Sequence, residues 1–197
     1  PELLLRLSRG MVTSRVLAGT IPKTGDDEKD LALAASLARS SKDLEEHEYA
    51  VRSVADALDP FCSSTNVPES PFVLHLANVM HLATDVTGAL IESKQHIDAF
   101  SLLKNLHPSA AVCGTPRNIA FDVIEEIEGM DRGRYAGPVG WIDARGDGEL
   151  GIALRSGQVT DNEIRIFAGC GIVAGSDPVV ELAESNAKFS AMRSALA

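Results

Sequence analysis

The chain has 197 residues, of which 45% are hydrophobic and 23% charged, and its formal net charge is −10. This composition excludes a disordered chain and suits a globular domain or a large part of one. Because the charge is strongly negative and the basic residues are scattered, a polyanion would be repelled, and we expect no nucleic-acid partner. No apolar run reaches the roughly 18 residues of a membrane span and no signal peptide is visible, so we predict a cytoplasmic protein without a membrane partner.

The cysteines and the first residues give two further expectations. Cys62, Cys113 and Cys170 are odd in number and far apart, which argues against a disulfide framework and against a zinc site. We predict three reduced thiols. The chain enters an apolar segment at once, whereas a natural amino terminus is usually looser and more polar. We therefore expect these residues to be the later part of a longer protein.

The first third of the chain predicts two strands and then a helical segment. The strands are "PELLLRL" and "GMVTSRVLAGT", placed around a turn. From Asp27 to about Leu58, apolar residues recur at steps of three and four, which indicates helix.

The middle third alternates between strand and helix patterns. "FVLHLANVMHLATDVTGAL" alternates as strands do, and "DAFSLLKNL" predicts a short helix. Thr115 and Pro116 then open another helix as its cap and first residue, and Gly129 closes it.

The last third begins with a predicted three-stranded meander, "GPVGWIDARGDGELGIALRSGQVTDNEIRIFAG", with turns at 146–148 and 160–162. Its middle strand places Leu154 on one face and Arg155 on the other. If the hairpin pairs Leu154 with Ile166, then Arg155 and Gly169 face the same side. Antiparallel strands interrupted by helices predict an α+β fold, with antiparallel sheets packed against helices.

A glycine-rich loop then leads into a helix in "FAGCGIVAGSDPVVELAESNAKFS". A dinucleotide fingerprint needs a parallel unit and an acidic residue about 20 positions further on, and a phosphate-binding P-loop needs Gly-Lys-Ser/Thr. Neither pattern is present, which disfavours a nucleotide site. The plainest alternative is that Gly169, Gly171 and Gly175 allow a tight turn with positive φ.

The helix after this loop begins with Asp177 as its cap and carries Glu181, Glu184 and Lys188 on one stripe. Taken alone, such spacing favours an ordinary surface ion pair between Glu184 and Lys188.

A second acidic stripe, with the same ordinary alternative, contains Asp43, Glu46 and His47. If the two stripes faced one pocket, their carboxylates would suit Mg²⁺, which takes one or two carboxylates and keeps waters for a substrate oxygen.

A series of longer motifs occurs along the chain in this order: "PELLL", "LAGT", "SSKDLEEHEYAV", "HLAT", "HPSAAVCGTP", "RYAGPVGW", "ALR" and "IFAGCGIVAGSDPVVELAESNAKFS". With these motifs the chain resembles the chorismate-utilising enzymes, the family that contains isochorismate, anthranilate, aminodeoxychorismate and salicylate synthases. The resemblance implies that residues 1–197 are the C-terminal portion of a single chorismate-binding domain whose N-terminal portion is absent. In that family the glycine loop and its helix receive a carboxylate and a magnesium ion, not a phosphate.

The resemblance also assigns roles to acidic residues. Glu46 and Glu184 match the Mg²⁺ ligands, with Asp43 and Glu181 around the ion. Glu2 matches the general acid that protonates the departing hydroxyl of chorismate. Its apolar neighbours suit that role, because desolvation raises the pKa of a carboxyl group, although an exposed edge-strand carboxylate is an equal alternative.

The substrate side of the site is assigned in the same way. Arg155, Gly169 and Lys188 match positions that hold the carboxylates of chorismate, which suits a guanidinium fork, a bare amide and an ammonium group. His81 and Tyr135 match positions beside the substrate, and ordinary packing explains each equally well.

Two alanines indicate the branch of the family. Aminodeoxychorismate synthases carry a lysine in the motif that matches "LAGT", where this chain has Ala18. At the substrate-binding position Ala111, the ammonia-using and salicylate-forming branches typically have threonine and isochorismate synthases alanine. The resemblance therefore favours an isochorismate synthase, which adds water to chorismate, with a salicylate synthase or an anthranilate synthase-like enzyme as the alternative. Its product would enter menaquinone or siderophore biosynthesis, and the sequence favours neither.

One family residue has no counterpart in the chain. The lysine that activates water belongs to a segment on the amino-terminal side of the general acid, so the missing N-terminal half is the expected partner of this chain. We expect no turnover from the 197 residues alone. A non-catalytic chorismate-binding module is the competing interpretation.

Overall fold

The computed structural model describes residues 3–92 and 97–197, and Glu2, the expected general acid, lies outside them. The described chain divides into two compact units. The sheet unit contains residues 3–92, 97–110 and 140–151, and the pocket unit contains residues 111–139 and 152–197. Helices and antiparallel strands together confirm the α+β prediction.

A large sheet organises the first unit. Among the described residues it has seven strands, in the order β3-β5-β2-β1-β7-β6, with β4 also paired to β5. All pairings of β5 with β2, β3 and β4, and of β1 with β2 and β7, are antiparallel. The strands are β1 (Leu3–Ser8), β2 (Met11–Pro22), β3 (Cys62–Asn66), β4 (Phe72–His75), β5 (Val79–Leu90), β6 (Pro138–Ile142) and β7 (Gly148–Ile152).

The helices that pack on this sheet are α1 (Asp27–Leu37), α2 (Ser41–Leu58) and α3 (Ala99–Leu106). The helical segment predicted from Asp27 to Leu58 is therefore interrupted. Ser40 causes the break, because its hydroxyl accepts a hydrogen bond from the backbone N–H of Asp43 and caps a new helix. The helices and strands bury apolar side chains that include Leu5, Val12, Leu37, Leu58, Met80, Leu82, Val86 and Leu102.

The predicted meander is wrong in its second half. Strand β7 ends at Ile152, and β8 (Ser156–Val159) and β9 (Ile164–Phe167) form a separate two-stranded sheet. Gly157, not Leu154, lies opposite Ile166. The strand ends because the backbone of Ala153 is bonded elsewhere, accepting from the N–H of Ala136 and donating to the carbonyl of Gly137, both at 2.9 Å.

The pocket unit adds helices α4 (Arg117–Glu128), α5 (Pro178–Lys188) and α6 (Ser190–Leu196). Pro116 is the cap of α4 and not its first residue, and Gly129 ends that helix in the left-handed conformation, as predicted. The cap of α5 is also as predicted, because Asp177 accepts hydrogen bonds from the N–H groups of Val179 and Val180. Within the described ranges, no helix has both the length and the apolar character needed to cross a bilayer.

Candidate functional site

Two side-chain hydrogen bonds join the glycine loop to helix α5. The Lys188 ammonium donates to the carbonyl oxygen of Gly169 at 3.2 Å and forms an ion pair with Glu184, 2.6 Å from its Oε1. The Cys170 thiol donates to the carbonyl oxygen of Glu181 at 3.4 Å, and burial is the main cause that raises its pKa. The predicted acidic stripe of α5 therefore runs along the base of this loop.

Tyr135 supports the same loop from the other side. Its ring stacks on Phe167, with centroids 5.2 Å apart and planes at 12°. Its hydroxyl lies so close to Gly169 that a Cβ atom added there would be 2.7 Å away. Burial raises the pKa of Tyr135, and the nearby charge of Arg132 opposes this effect, so the phenol is neutral at physiological pH.

Close approach explains Gly169, and a left-handed backbone explains none of the three glycines of the loop. None of Gly169, Gly171 and Gly175 has a positive φ, so the alternative that they provide a left-handed turn is wrong. The left-handed residue of this region is Ala136, with φ of 60°. This conformation costs a non-glycine residue on the order of 1–2 kcal/mol, and the two hydrogen bonds that Ala136 and Gly137 form with Ala153 hold it.

These segments enclose a cavity of about 160 Å³ that lies entirely in the pocket unit. Five residues predicted to bind substrate line it together: Ala111, Tyr135, Arg155, Gly169 and Lys188. The remaining lining residues are Val112, Glu128, Arg132, Ala136, Leu154, Ala168, Cys170 and Gly171. Arg155 and Gly169 therefore line the same cavity. The strand pairing from which we predicted their proximity, Leu154 with Ile166, is nevertheless wrong.

The cavity offers positive charge and N–H donors. Within residues 3–92 and 97–197, no carboxylate or carbonyl pairs with the guanidinium of Arg155. Nor does any described residue accept a hydrogen bond from the backbone N–H groups of Gly169, Cys170 and Gly171. Successive free amides beside an unpaired cation are suited to bind a carboxylate.

Among the lining residues that were not predicted from the sequence, two are charged, Glu128 and Arg132. Arg132 donates from Nε to Glu128 at 2.7 Å and from Nη1 to the carbonyl of Val112 at 2.8 Å. The carboxylate of Glu128 is the main cause that raises the pKa of Arg132. Their i,i+4 spacing in "EGMDR" is visible in the sequence, but the same spacing is common on solvent-exposed helices.

Of the other predicted site residues, Glu181 and Glu184 lie on α5 in the pocket unit, whereas those on α2 and β5 belong to the sheet unit. Asp43 and Glu46 lie one turn apart on α2, with Glu46 exposed and Asp43 against the bulge at Gly19. His47 is not part of an exposed acidic stripe, because it is 2% exposed and bonded through Nε2 to the hydroxyl of Thr84 at 2.7 Å.

His81 is also buried, at 5% exposure, and its Nδ1 lies 3.0 Å from the Thr20 hydroxyl and 3.3 Å from the Gly19 carbonyl. These contacts describe a packed side chain on β5. A role of His81 beside a substrate stays a prediction.

The carboxylates expected to bind Mg²⁺ fit that ion by their chemistry. Glu46 and Glu184 are both exposed, and Mg²⁺ commonly uses one or two carboxylates and several waters. Among the described residues, no group of three or more histidine, cysteine, aspartate or glutamate side chains is placed to hold a metal. The described residues therefore do not form a metal site in which protein side chains supply all the ligands.

The family model for chorismate binding enzymes matches residues 1–197. The salicylate biosynthesis isochorismate synthase of Pseudomonas aeruginosa is 42% identical over 196 residues, which cover 100% of this chain and 40% of that protein. The isochorismate synthase DhbC of Bacillus subtilis is also 42% identical, with 100% and 49% covered.

A solved structure agrees with these relatives. The crystal structure of a DhbC-type isochorismate synthase from Bacillus anthracis matches with a TM-score of 0.92 and 43% sequence identity, covering 100% of this chain and 52% of that one. The chain spans about half the length of the relatives it matches. The match over every residue shows that the chain belongs to the chorismate-binding enzyme family.

Proposed function

We propose that the protein containing this chain is an isochorismate synthase, which converts chorismate to isochorismate in the presence of Mg²⁺. The observation that carries the proposal is the cavity in which an unpaired Arg155, Lys188 and the free amides of 169–171 meet among the described residues. Chorismate is a small dianionic ring acid, and these donors suit its carboxylates. The apolar side chains of Ala111, Val112 and Leu154 supply a surface for its ring.

Each cation has a distinct task in this proposal. The guanidinium of Arg155 presents a planar fork to one carboxylate. Lys188 uses two of its three N–H donors on Gly169 and Glu184, and the third is left for substrate. The backbone amide of Gly169 is the third proposed donor to a substrate carboxylate. The position is a glycine because a side chain there would collide with Tyr135.

Glu46 and Glu184 are the proposed Mg²⁺ ligands, with Asp43 and Glu181 nearby in support. The ion would polarise and orient a substrate carboxylate. Before it binds, the ion pair of Glu184 with Lys188 holds that carboxylate in place on α5.

Proton transfer completes the reaction. Water adds to one ring carbon while the hydroxyl on another departs as water, and the two conjugated double bonds of the ring both shift. Glu2 is the proposed donor of the proton to the departing hydroxyl. The base that takes the proton from the attacking water is expected in the part of the longer protein that precedes Glu2.

The test is a product assay on the longer protein. Purified enzyme, chorismate and MgCl₂ are incubated, and products are separated on a column beside isochorismate and salicylate standards. Isochorismate as the main product supports the proposal, and salicylate would replace it with the salicylate synthase alternative. Removal of Mg²⁺ by EDTA should abolish conversion.

Two variants test the metal ligands. Glu46→Gln and Glu184→Gln should each lower kcat by at least about 100-fold, because each removes a charged ligand of the ion. Their melting temperatures should stay within about 2 °C of the wild type, since both carboxylates are exposed. Glu45→Gln, a neighbouring exposed glutamate on α2, is the control and should keep full activity.

A non-catalytic chorismate-binding module is the second candidate. Such a module would be stabilised by chorismate without converting it. Thermal unfolding with and without chorismate, run beside the product assay, separates the two: stabilisation without product would replace the enzyme proposal.

A further inference from the structure

Arg132 occupies an unusual place in the cavity wall. It is a cation beside a proposed anion site, yet its donors are engaged by two other lining residues, the carboxylate of Glu128 and the carbonyl of Val112. Its guanidinium also lies over the ring of Tyr135, 5.7 Å from the centroid. Unlike Arg155, it is neutralised by a carboxylate.

The contacts of Arg132 join three separate segments of the wall. Val112 belongs to the loop before α4, Glu128 to the last turn of α4, and Tyr135 to the segment after it. Tyr135 in turn supports Phe167 and Gly169. A displacement of Arg132 is therefore transmitted to the glycine loop through one ring.

We propose that Arg132, held by Glu128, is a positioning residue that sets the shape of the substrate cavity and does not itself bind the substrate. This inference rests on the proposed function for its substrate, chorismate, while its geometric part concerns the cavity alone. This role requires the planar guanidinium of arginine, because that group simultaneously binds a carboxylate, donates to a carbonyl and lies over an aromatic ring. A lysine can supply only one point charge.

The direction in which one substitution changes KM distinguishes this role from direct binding of the substrate. Glu128→Gln removes the negative charge that neutralises Arg132. If Arg132 bound the substrate, the freed cation would strengthen the binding of a dianion and lower KM. If Arg132 is a positioning residue, loss of its anchor loosens the wall and raises KM.

The experiment uses the longer protein with Arg132→Lys and Glu128→Gln, and steady-state kinetics with chorismate. We expect KM to rise at least about tenfold in Arg132→Lys and severalfold in Glu128→Gln, with kcat within about threefold of the wild type. Arg52→Lys is the matched control, because Arg52 forms an exposed i,i+4 ion pair with Glu48 and should leave both constants unchanged. A lower KM for Glu128→Gln, or an unchanged KM for Arg132→Lys, would overturn the proposal.

A second readout does not depend on chorismate. The N–H groups of Tyr135, Ala136 and Gly137 are hydrogen-bonded to Arg132, Ala153 and Arg134 carbonyls, so their hydrogen exchange reports on the wall. Exchange at these amides should be at least about tenfold faster in Arg132→Lys than in the wild type or Arg52→Lys. Equal exchange would overturn the positioning role. If the wild type failed to convert chorismate, the proposed function would fall, and the exchange result would decide the role of Arg132 separately.

Discussion

At the scale of single residues, the cavity depends on one missing Cβ atom. Tyr135 reaches so far under Gly169 that any larger residue would collide with its hydroxyl, since an added Cβ would lie only 2.7 Å from that oxygen. Tyr135 cannot move freely, because Phe167 and Arg132 fix its ring from two directions. The loop backbone must therefore move instead.

Gly169→Ala should raise KM for chorismate about tenfold or more, equivalent to about 1.4 kcal/mol of binding energy. The displaced loop carries the amides proposed to bind a carboxylate, so binding suffers more than folding. Steady-state kinetics and thermal unfolding of the longer protein measure the two effects. We expect the melting temperature to fall by no more than about 4 °C.

Gly175→Ala is the control for this substitution. It lies in the same loop, has no positive φ, and an added Cβ would meet no atom within 4 Å. Its KM should equal that of the wild type. Equal KM values for Gly169→Ala and Gly175→Ala would show that the close approach to Tyr135 has no role in binding.

Some residues that line the cavity could be predicted from the sequence, and others could not. Arg155, Gly169 and Lys188 were predictable because they stand in long motifs of a known family. Glu128 and Arg132 were not, because an i,i+4 pair has the same spacing whether it is solvated or enclosed. Only the carbonyl of Val112 and the ring of Tyr135, which come close in three dimensions, distinguish this pair.

At the scale of elements, one hydrogen bond joins helix α2 to the central strand β5. His47 Nε2 lies 2.7 Å from the Thr84 hydroxyl, and both side chains are 2% exposed. No described atom bonds to His47 Nδ1, and burial lowers the pKa of the ring. The Thr84 hydroxyl is therefore the polar partner that this neutral imidazole has among the described residues.

Thr84→Val should destabilise the longer protein by about 1–3 kcal/mol, because it leaves a buried imidazole without its partner while keeping the shape of the side chain. Urea unfolding measures the change. Thr87→Val, on the same strand but half-buried, is the control and should cost less than about 0.5 kcal/mol. Equal losses would mean that the bond contributes nothing specific.

Element types were more predictable than their ends and partners. Alternation correctly indicated β1, β2 and β5, and the Asp177 cap correctly placed the start of α5. The end of β7 was missed because its cause is distant in sequence: Ala153 bonds to Ala136 and Gly137. Local periodicity does not reveal that residues elsewhere in the chain take up the backbone hydrogen bonds of a strand.

At the scale of the whole molecule, helices α4 and α5 of the pocket unit, like the shorter α6, have no buried residue in the part of the chain that the structure describes. Large apolar side chains are exposed along α4 and α5: Ile119, Phe121, Val123, Ile127, Val179, Val180 and Leu182. Exposed apolar side chains in this number on two helices normally contact another part of a protein. Since the chain spans about half the length of its relatives, we expect the rest of the longer protein to cover these faces.

Ile127 tests this expectation, because it is 75% exposed in the described chain. If its surroundings were open in the longer protein, Ile127→Asp would cost only a few tenths of a kcal/mol through helix propensity. If another segment covers it, the substitution buries an unpaired carboxylate, and we expect a loss of about 2 kcal/mol or more by urea unfolding. Glu125→Asp introduces the same residue about 200° around the helix and isolates the propensity effect. Equal losses for the two variants would show that α4 stays open to solvent.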